Sequence, residues 1–477
     1  MLALSLTLGA CAVGPDYQRP AQDVGAAYAH APQGQWRPAQ PGGSDLAADW
    51  WVTFGDAGLD GLMARLPAGN LDIAQAEAQY RQAQAALGSA RAGLLPSLSA
   101  AASASRAGQG ISSANNPATN YSLSGSVSWE VDLWGRVRRT VEAARAGEQA
   151  SAADLAAMRL SLQSTLAQTY FGVRASQRQD ELLARTLDEY ERALQMTRNR
   201  YAAGVASSAD VAAASAQLDQ ARVQRIRLGW QREQQVHALS ILLGQVPAGF
   251  QMPAGAGLPG VPPVPVGVPS ALLQQRPDVA AAERRAAQAN AKIGVAQAAW
   301  FPDLTLDAQG GYRAGEFASW IMAPARFWTL GPSLALSLFD GGARSAALDA
   351  ARAAYDAQAA QYRKTVLDAL REVEDALVQS QALVHEQAAQ NRALAAARET
   401  LRQVLNQYQA GLVDYLNVVQ AQTSALSAEQ NALDLQLQRL SATVQLAAAL
   451  GGGYVEPVAA GDAPAAARQA PGVGAEP

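Results

Sequence analysis

The residues of this chain that could do covalent or metal chemistry are few and far apart. Its three histidines, His30, His237 and His385, are scattered, and Cys11 is the only thiol, so they cannot assemble a zinc site, a haem site or a disulfide. Lys292 and Lys364 are the only lysines and neither follows a glycine, which excludes the lysine of a Walker A loop. No cluster pairs a nucleophile with a base, so the reading is not an enzyme, with no cofactor and no metal. The net charge of −4 implies no polyanionic partner, nucleic acid included. There remain two carboxylates, Asp210 and Asp414, each a few residues beyond a glycine, Gly204 and Gly411. Their chemistry would be electrostatic. Both carboxylates would complement the positive N-termini of helices.

The elements that must position these residues are long helices. Ala343 to Ala410 contains no Gly and no Pro and is stocked with good helix formers. As one helix it would be ~100 Å long, too long for a compact core. Leu348, Tyr355 and Tyr362, and later Leu394, Leu401 and Tyr408, recur at the heptad spacing of a coiled coil. Arg136 to Ala203 is a second such stretch, broken only by Gly147 and Gly172, with Leu183, Leu187, Tyr190, Leu194 and Tyr201 in heptad register. Further helices are predicted at about 208–243, 278–299 and 414–450, another to about Leu66, and one capped by Asn70 and running to Gly93. The apolar content of 49%, much of it Ala, and the charged content of 16% fit long helices better than dense cores.

No run of 18 apolar residues occurs, so a membrane crossing would require strands. Period-two alternation marks four: about 97–106, 122–131, 303–313 and 332–339, apolar on one side and polar on the other. The second pair carries Asp303, Asp307 and Arg313 on its polar side, which favours a wet lumen over a packed interior. Trp129, Trp300, Phe301, Trp320, Phe327 and Trp328 lie at or beyond strand ends, where interfacial aromatics sit. Four strands cannot close a barrel, and an open edge is forbidden in lipid, so several chains must share one barrel.

The chain is also a tandem repeat. Gly88-to-Leu98 matches Gly294-to-Leu304 at an offset of 206, and Tyr201-Ala-Ala-Gly204 matches Tyr408-Gln-Ala-Gly411 at 207, as does Leu243-Gly244 with Leu450-Gly451. Repeat 1 is read as 44–243 and repeat 2 as 270–454. Between them, 244–269 is a linker too rich in Pro and Gly for helix or central strand. In each repeat a short and a medium helix laid end to end would match one long helix. The 455–477 tail is read as disordered.

Met1 to Ala10 is an apolar leader ending in Leu-Gly-Ala before Cys11, which resembles the lipobox of bacterial lipoproteins. Cys11 would then be the lipidated N-terminus of an arm, 11–43; the leader lacks a basic start and is short, so it is read as possibly truncated. Cys11-Ala-Val-Gly-Pro-Asp-Tyr-Gln-Arg-Pro20, Leu272 to Glu283, Ala289 to Pro302, Tyr408 to Asn417 and Ala449 to Tyr454 resemble the outer-membrane factor family, TolC-like and nearest its lipoprotein branch.

The resemblance implies an α+β membrane protein. It would be a homotrimer, with a twelve-stranded β-barrel in the bacterial outer membrane continuous with a periplasmic coiled-coil barrel. It implies docking to a periplasmic adaptor and an inner-membrane pump of the resistance-nodulation-division type, and export of small toxic compounds. The alternatives are a type I protein-secretion exit and a lipid-anchored scaffold without a pore. It further implies a periplasmic aperture, to which Tyr408, Asp414, Asn417, Gln420 and Asp210 are assigned, and where copies of Asp414 around a narrow axis would repel one another and attract cations, as an alternative to the helix-start role. Asn417 and Gln420 stand where the family has carboxylates. Gly204, Val205, Gly411 and Leu412 resemble the tips that adaptor hairpins grip.

Overall fold

The computed structural model describes residues 12–22, 24–25, 28–30, 49–108, 118–255, 257–263 and 275–454. The leader, Cys11, residues 31–48, residues 264–274 and the tail beyond 454 lie outside the described residues. In chain order the elements are α1 (Ala57–Gly69), α2 (Leu71–Ala92), β1 (Ser97–Ala107), β2 (Ala118–Glu130), α3 (Arg136–Ala202), α4 (Ser208–Leu242), α5 (Pro277–Ala298), β3 (Asp303–Ala314), β4 (Arg326–Ala335), α6 (Ala343–Gln409) and α7 (Tyr415–Ala449). The repeat is carried by the backbone: α3 and α6 each have 67 residues, and α4 and α7 each have 35. No helix among the described residues is long and apolar enough to cross a membrane.

By its contacts the chain divides into two units, one of residues 1–22, 78–152 and 281–365, the other of residues 23–77, 153–280 and 366–477. The first contains the sheet, which is antiparallel and runs in the order β1-β2-β3-β4. Its register keeps mostly apolar residues on one face and mostly polar residues on the other. Leu98 stands opposite Val127, Val127 opposite Ala308, and Ala308 opposite Leu330; one residue along, Ser99 faces Ser126, Ser126 faces Gln309, and Gln309 faces Thr329. The hydroxyls of Ser99 and Ser126 are 2.7 Å apart, and Asp307 lies opposite Ser128 on the same polar face. A slip of one residue in any strand would invert this sorting.

The fourth strand differs from the sequence expectation of 332–339. Asp303, the first residue of β3, pairs with Ala335, so Leu336 and Leu338 have no ladder partner, while the far end of β3 draws Arg326 to Gly331 into the sheet. Alternation alone continues past the point where the partner ends. Pro332 lies opposite Leu306 in β4, which is an edge strand within the chain's own sheet, where proline is tolerated best. β2 likewise begins at Ala118, earlier than the alternation indicated.

The N-terminal arm straps this unit. Val13 N–H donates to the Trp134 carbonyl at 2.9 Å, Asn290 Nδ2 to the Pro15 carbonyl at 2.9 Å, and Arg139 to Gly14 and Asp16. Glu283, buried, accepts from Tyr17 at 3.2 Å and from Arg19 at 2.8 Å. Burial opposes its ionisation, but the Arg284 and Arg19 guanidiniums outweigh burial and hold its carboxyl below the ordinary glutamate value.

In the second unit the end-to-end joints between short and medium helices are explicit. Asn70 caps α2 through its Oδ1, which accepts from the N–H groups of Asp72 and Ile73, while its Nδ2 donates to the Leu242 carbonyl at 2.8 Å, the last residue of α4. In repeat 2 Arg276 takes that place. It donates to the Ala449 carbonyl at 3.1 Å, the last residue of α7, and is held by Asp278 and Glu372. Gly244 and Gly451 end α4 and α7 in the left-handed region, at φ +64° and +92°. A Cβ on Gly244 would collide with the Gly69 carbonyl, and one on Gly451 with the Gln275 carbonyl. Two further glycines inside α3 serve close approach, Gly147 to Gln288 in the first unit and Gly172 to Gln235 in the second.

Gly244→Ala and Gly451→Ala should each destabilise by roughly 2–4 kcal/mol, combining left-handed strain with overpacking. Gly204→Ala, whose φ is +76° with open space around it, should cost only about 1 kcal/mol; denaturant unfolding of the detergent-solubilised protein checks the difference. The lowered pKa of Glu283 makes the arm clip present above the ordinary glutamate range, about pH 4.3, and lost as pH falls through the lower folded value. Amide exchange over residues 12–19, corrected for its intrinsic pH dependence, should show that loss, and Glu283→Gln should reproduce it at neutral pH.

Candidate functional site

Two helix-to-helix turns carry the residues singled out in the sequence, and both are built alike. After α3, Val205 N–H bonds the Arg200 carbonyl and Gly204 N–H the Tyr201 carbonyl; after α6, Leu412 bonds Gln407 and Gly411 bonds Tyr408, all at 2.9–3.0 Å. This is the Schellman pattern, which needs a left-handed residue, and Gly204 and Gly411 both supply φ +76°. Val205 and Leu412 stand exposed beyond the turns, Leu412 at 75% of its surface.

The helices that follow start differently. Ser207 caps α4 and Asp210 completes a capping box, its Oδ2 accepting from the Ser207 N–H at 2.8 Å. Its carboxylate is therefore occupied by the local helix start. Asp414 holds the equivalent cap position of α7 but makes no side-chain cap hydrogen bond. Asn417 and Gln420 lie exposed on α7 in the turns that follow.

Tyr408 is not among them on the surface. It is only 3% exposed, in a core with Leu187, Tyr190, Leu194, Leu218, Tyr415 and Val418. Arg200 holds it from α3: one guanidinium N–H donates to the Tyr408 carbonyl at 3.0 Å, and the guanidinium lies 4.6 Å from the ring centroid. The Thr197 hydroxyl is 3.5 Å from the Tyr408 hydroxyl, and the Tyr415 ring meets Tyr408 edge-on at 5.5 Å. Burial, then the neighbouring Tyr408, Tyr190 and Asp210, pushes the Tyr415 hydroxyl up to about 12, so it stays protonated at any physiological pH.

The structure thus separates the five residues assigned to an aperture. Tyr408 belongs to a buried clasp, Asp210 to a helix cap, and Asp414, Asn417 and Gln420 to the exposed start of α7. Arg200, Thr197, Tyr190 and Tyr415 escaped the sequence reading as site residues. The repeat held a signal for two of them. At an offset of 207, Arg200 corresponds to Gln407 and Tyr415 to Ser208, so each replaces an ordinary helix residue of its twin. Tyr201, the repeat twin of Tyr408, is 52% exposed despite its matching heptad position.

The sheet aromatics group near its two ends. Tyr121, near the start of β2, meets Phe317 and Trp320 at 5.5 and 5.9 Å. At the other end Trp129 donates its indole N–H to the Leu94 carbonyl at 3.1 Å, Phe301 stacks on Trp134 at 4.7 Å, and Arg344 lies over the Trp300 ring at 5.0 Å. Trp328 is exposed on the apolar face, opposite Gly310. Phe327 points the other way: opposite Gly311 it shares the polar face, with the Arg313 guanidinium 4.7 Å from its ring.

The sequence profile of the family described as outer membrane efflux protein matches residues 62–245 and 268–452, one segment for each repeat. The chain is similar to the outer membrane protein OprJ of Pseudomonas aeruginosa, 34% identical with 95% of each chain covered. It is also similar to the toluene efflux pump outer membrane protein TtgC of Pseudomonas putida, 32% identical with 96% of each covered. The solved outer-membrane channel OprN superimposes with a TM-score of 0.86 at 31% identity, over 93% of this chain and 99% of that one. With both repeats matched and the fold shared, the chain belongs to the outer membrane efflux protein family and is an outer-membrane channel of a tripartite efflux pump.

Proposed function

We propose that three copies of this chain form a passive duct that carries small toxic compounds across the periplasm and outer membrane, docked onto a periplasmic adaptor and a proton-driven inner-membrane pump of the resistance-nodulation-division type. One observation carries the reading. The four-stranded sheet keeps mostly apolar residues on one face and mostly polar residues on the other, and it leaves β1 and β4 as edges with no further strand among the described residues. In hydrocarbon those edge groups need partners, and copies of the same chain supply them, with the Ser, Gln and Asp face toward the lumen. The small-molecule assignment is supported by the toluene pump to which the Pseudomonas putida relative belongs. Cys11 would add a lipid anchor, an accessory to the barrel because one acyl chain binds membranes weakly.

In this duct the helix turns form the periplasmic end. Val205 and Leu412, exposed beyond their glycines, are the apolar knobs offered to the adaptor. Asp414, Asn417 and Gln420 ring the aperture, and Asp414, whose side chain makes no cap hydrogen bond, is the carboxylate available to cations there. The Arg200–Tyr408 clasp holds α6 to α3 just inside and keeps the resting aperture narrow.

Purified protein should run as a heat-labile trimer and give conductance steps in planar bilayers, and its deletion should sensitise cells to organic solvents and dyes. A deletion that abolished export of a polypeptide while leaving solvent tolerance intact would favour the secretion reading. Arg200→Ala and Asp414→Ala should assemble normally and raise resting conductance several-fold. Unchanged conductance in Asp414→Ala would return that residue to a helix-start role.

A further inference from the structure

The mostly apolar face of the sheet carries two charges. Cross-strand parity follows one row of that face from Ala104 to Tyr121 to Ala314, and the next from Ala102 to Leu123 to Tyr312 to Arg326. Arg106, two residues beyond Ala104, stands opposite Thr119 on the same face. Arg106 and Arg326 are the only charged residues there, and both are exposed. The carboxylates of the four strands, Glu130, Asp303 and Asp307, all fall on the opposite face, with Arg313.

The two arginines also share one end of the sheet. α2 leads into β1, β2 into α3, α5 into β3 and β4 into α6, so these helices join the sheet at its other end; Arg106 lies at the end of β1 and Arg326 opens β4, where the chain turns back. No carboxylate neutralises them. Residues 107–118 contain none, and Glu316, the only one in 315–325, makes no ion pair among the described residues. The Arg106 guanidinium has no hydrogen-bond or ion-pair partner among the described residues, and Arg326 donates one N–H to the Ala323 carbonyl at 3.4 Å. Tyr121, Phe317 and Trp320 cluster at the same end, with ring centroids 5.5–5.9 Å apart.

β1 and β4 are the two edges of the sheet. In the barrel proposed above, β1 of one copy lies beside β4 of the next and runs opposite to it, so Arg106 and Arg326 come to the outer end of one seam. There two guanidiniums repel one another on the face turned to lipid, where an unpaired charge is costly. The counter-anion must come from outside the chain. We propose that each seam binds the phosphate of an outer-leaflet lipid, held between Arg106 of one copy and Arg326 of the next, with the aromatic cluster at the level of its headgroup. The guanidinium fork matches phosphate oxygens in pairs, and amphipathic rings settle at the membrane–water boundary. One copy alone holds only half of the site. The inference rests on the reading that copies close one barrel, and it names the lipid chemistry that their seams select.

The test uses the detergent-purified trimer and two probes, diphosphorylated lipid A and the same lipid freed of phosphate. Native mass spectrometry should show the phosphorylated lipid bound, one per seam, and the phosphate-free lipid held about tenfold more weakly. Arg106→Gln and Arg326→Gln should each lower the affinity for the phosphorylated lipid towards the phosphate-free level. Lysine at either position should give an intermediate affinity, and Arg313→Gln, on the polar face, should change nothing. Inorganic phosphate at millimolar concentration should not displace the lipid. If a conducting trimer of the unmodified protein binds both lipids equally, or releases the phosphorylated one to inorganic phosphate, the lipid site is overturned while the duct stands, and that result needs no variant to fold. Undiminished binding in the double glutamine variant overturns it as well. If the unmodified protein forms no trimer, both readings fall.

Discussion

The sheet of this molecule answers to one rule of the bilayer: a backbone N–H or C=O in hydrocarbon must find its partner inside the protein. A sheet of four strands satisfies its inner ladders and leaves two edges that water would tolerate and lipid does not. Side chains that are mostly apolar on one face and mostly polar on the other, with aromatics near both sheet ends, suit the same setting. The rule also makes assembly a condition of the fold: one copy has a finished register and an unfinished perimeter.

The helical part answers to a different constraint. Long helices rich in Ala bury little surface each, so their ends must be tied by specific polar contacts. The two joints do so with different side chains at one location, an amide from Asn70 and a guanidinium from Arg276, each donating to the last carbonyl of a medium helix. The closing glycines have no such freedom. Gly244 and Gly451 combine a left-handed backbone with a neighbouring carbonyl where a Cβ would be. Duplication preserved the geometry and let the side chains drift wherever another donor could reach the same oxygen.

That drift is concentrated at the turns. Gly204 and Gly411 share one φ, yet the first turn opens into a satisfied capping box and the second into an aspartate without a side-chain cap bond. The tyrosine of the second turn is sealed by an arginine and a second tyrosine that the first repeat does not reproduce. Two hairpins with one backbone have acquired unlike chemistry.

Much of this was legible in the chain itself. The absence of Pro, with few or no Gly, marks the long helices to within a residue, Asn70 announces its cap, and three anchors at offsets of 206 and 207 reveal the repeat, because all of these depend on local covalent chemistry and spacing. What the amino-acid order could not state was decided by partners distant in sequence. The end of β4 lies where β3 stops offering hydrogen bonds, and Phe327 turns to the polar face because pairing with Gly311 sets its parity. Tyr408 is buried while its twin Tyr201 is exposed because only Tyr408 is met by Arg200 and Tyr415. Periodicity specifies which residues share a face; only the packed structure decides what that face meets.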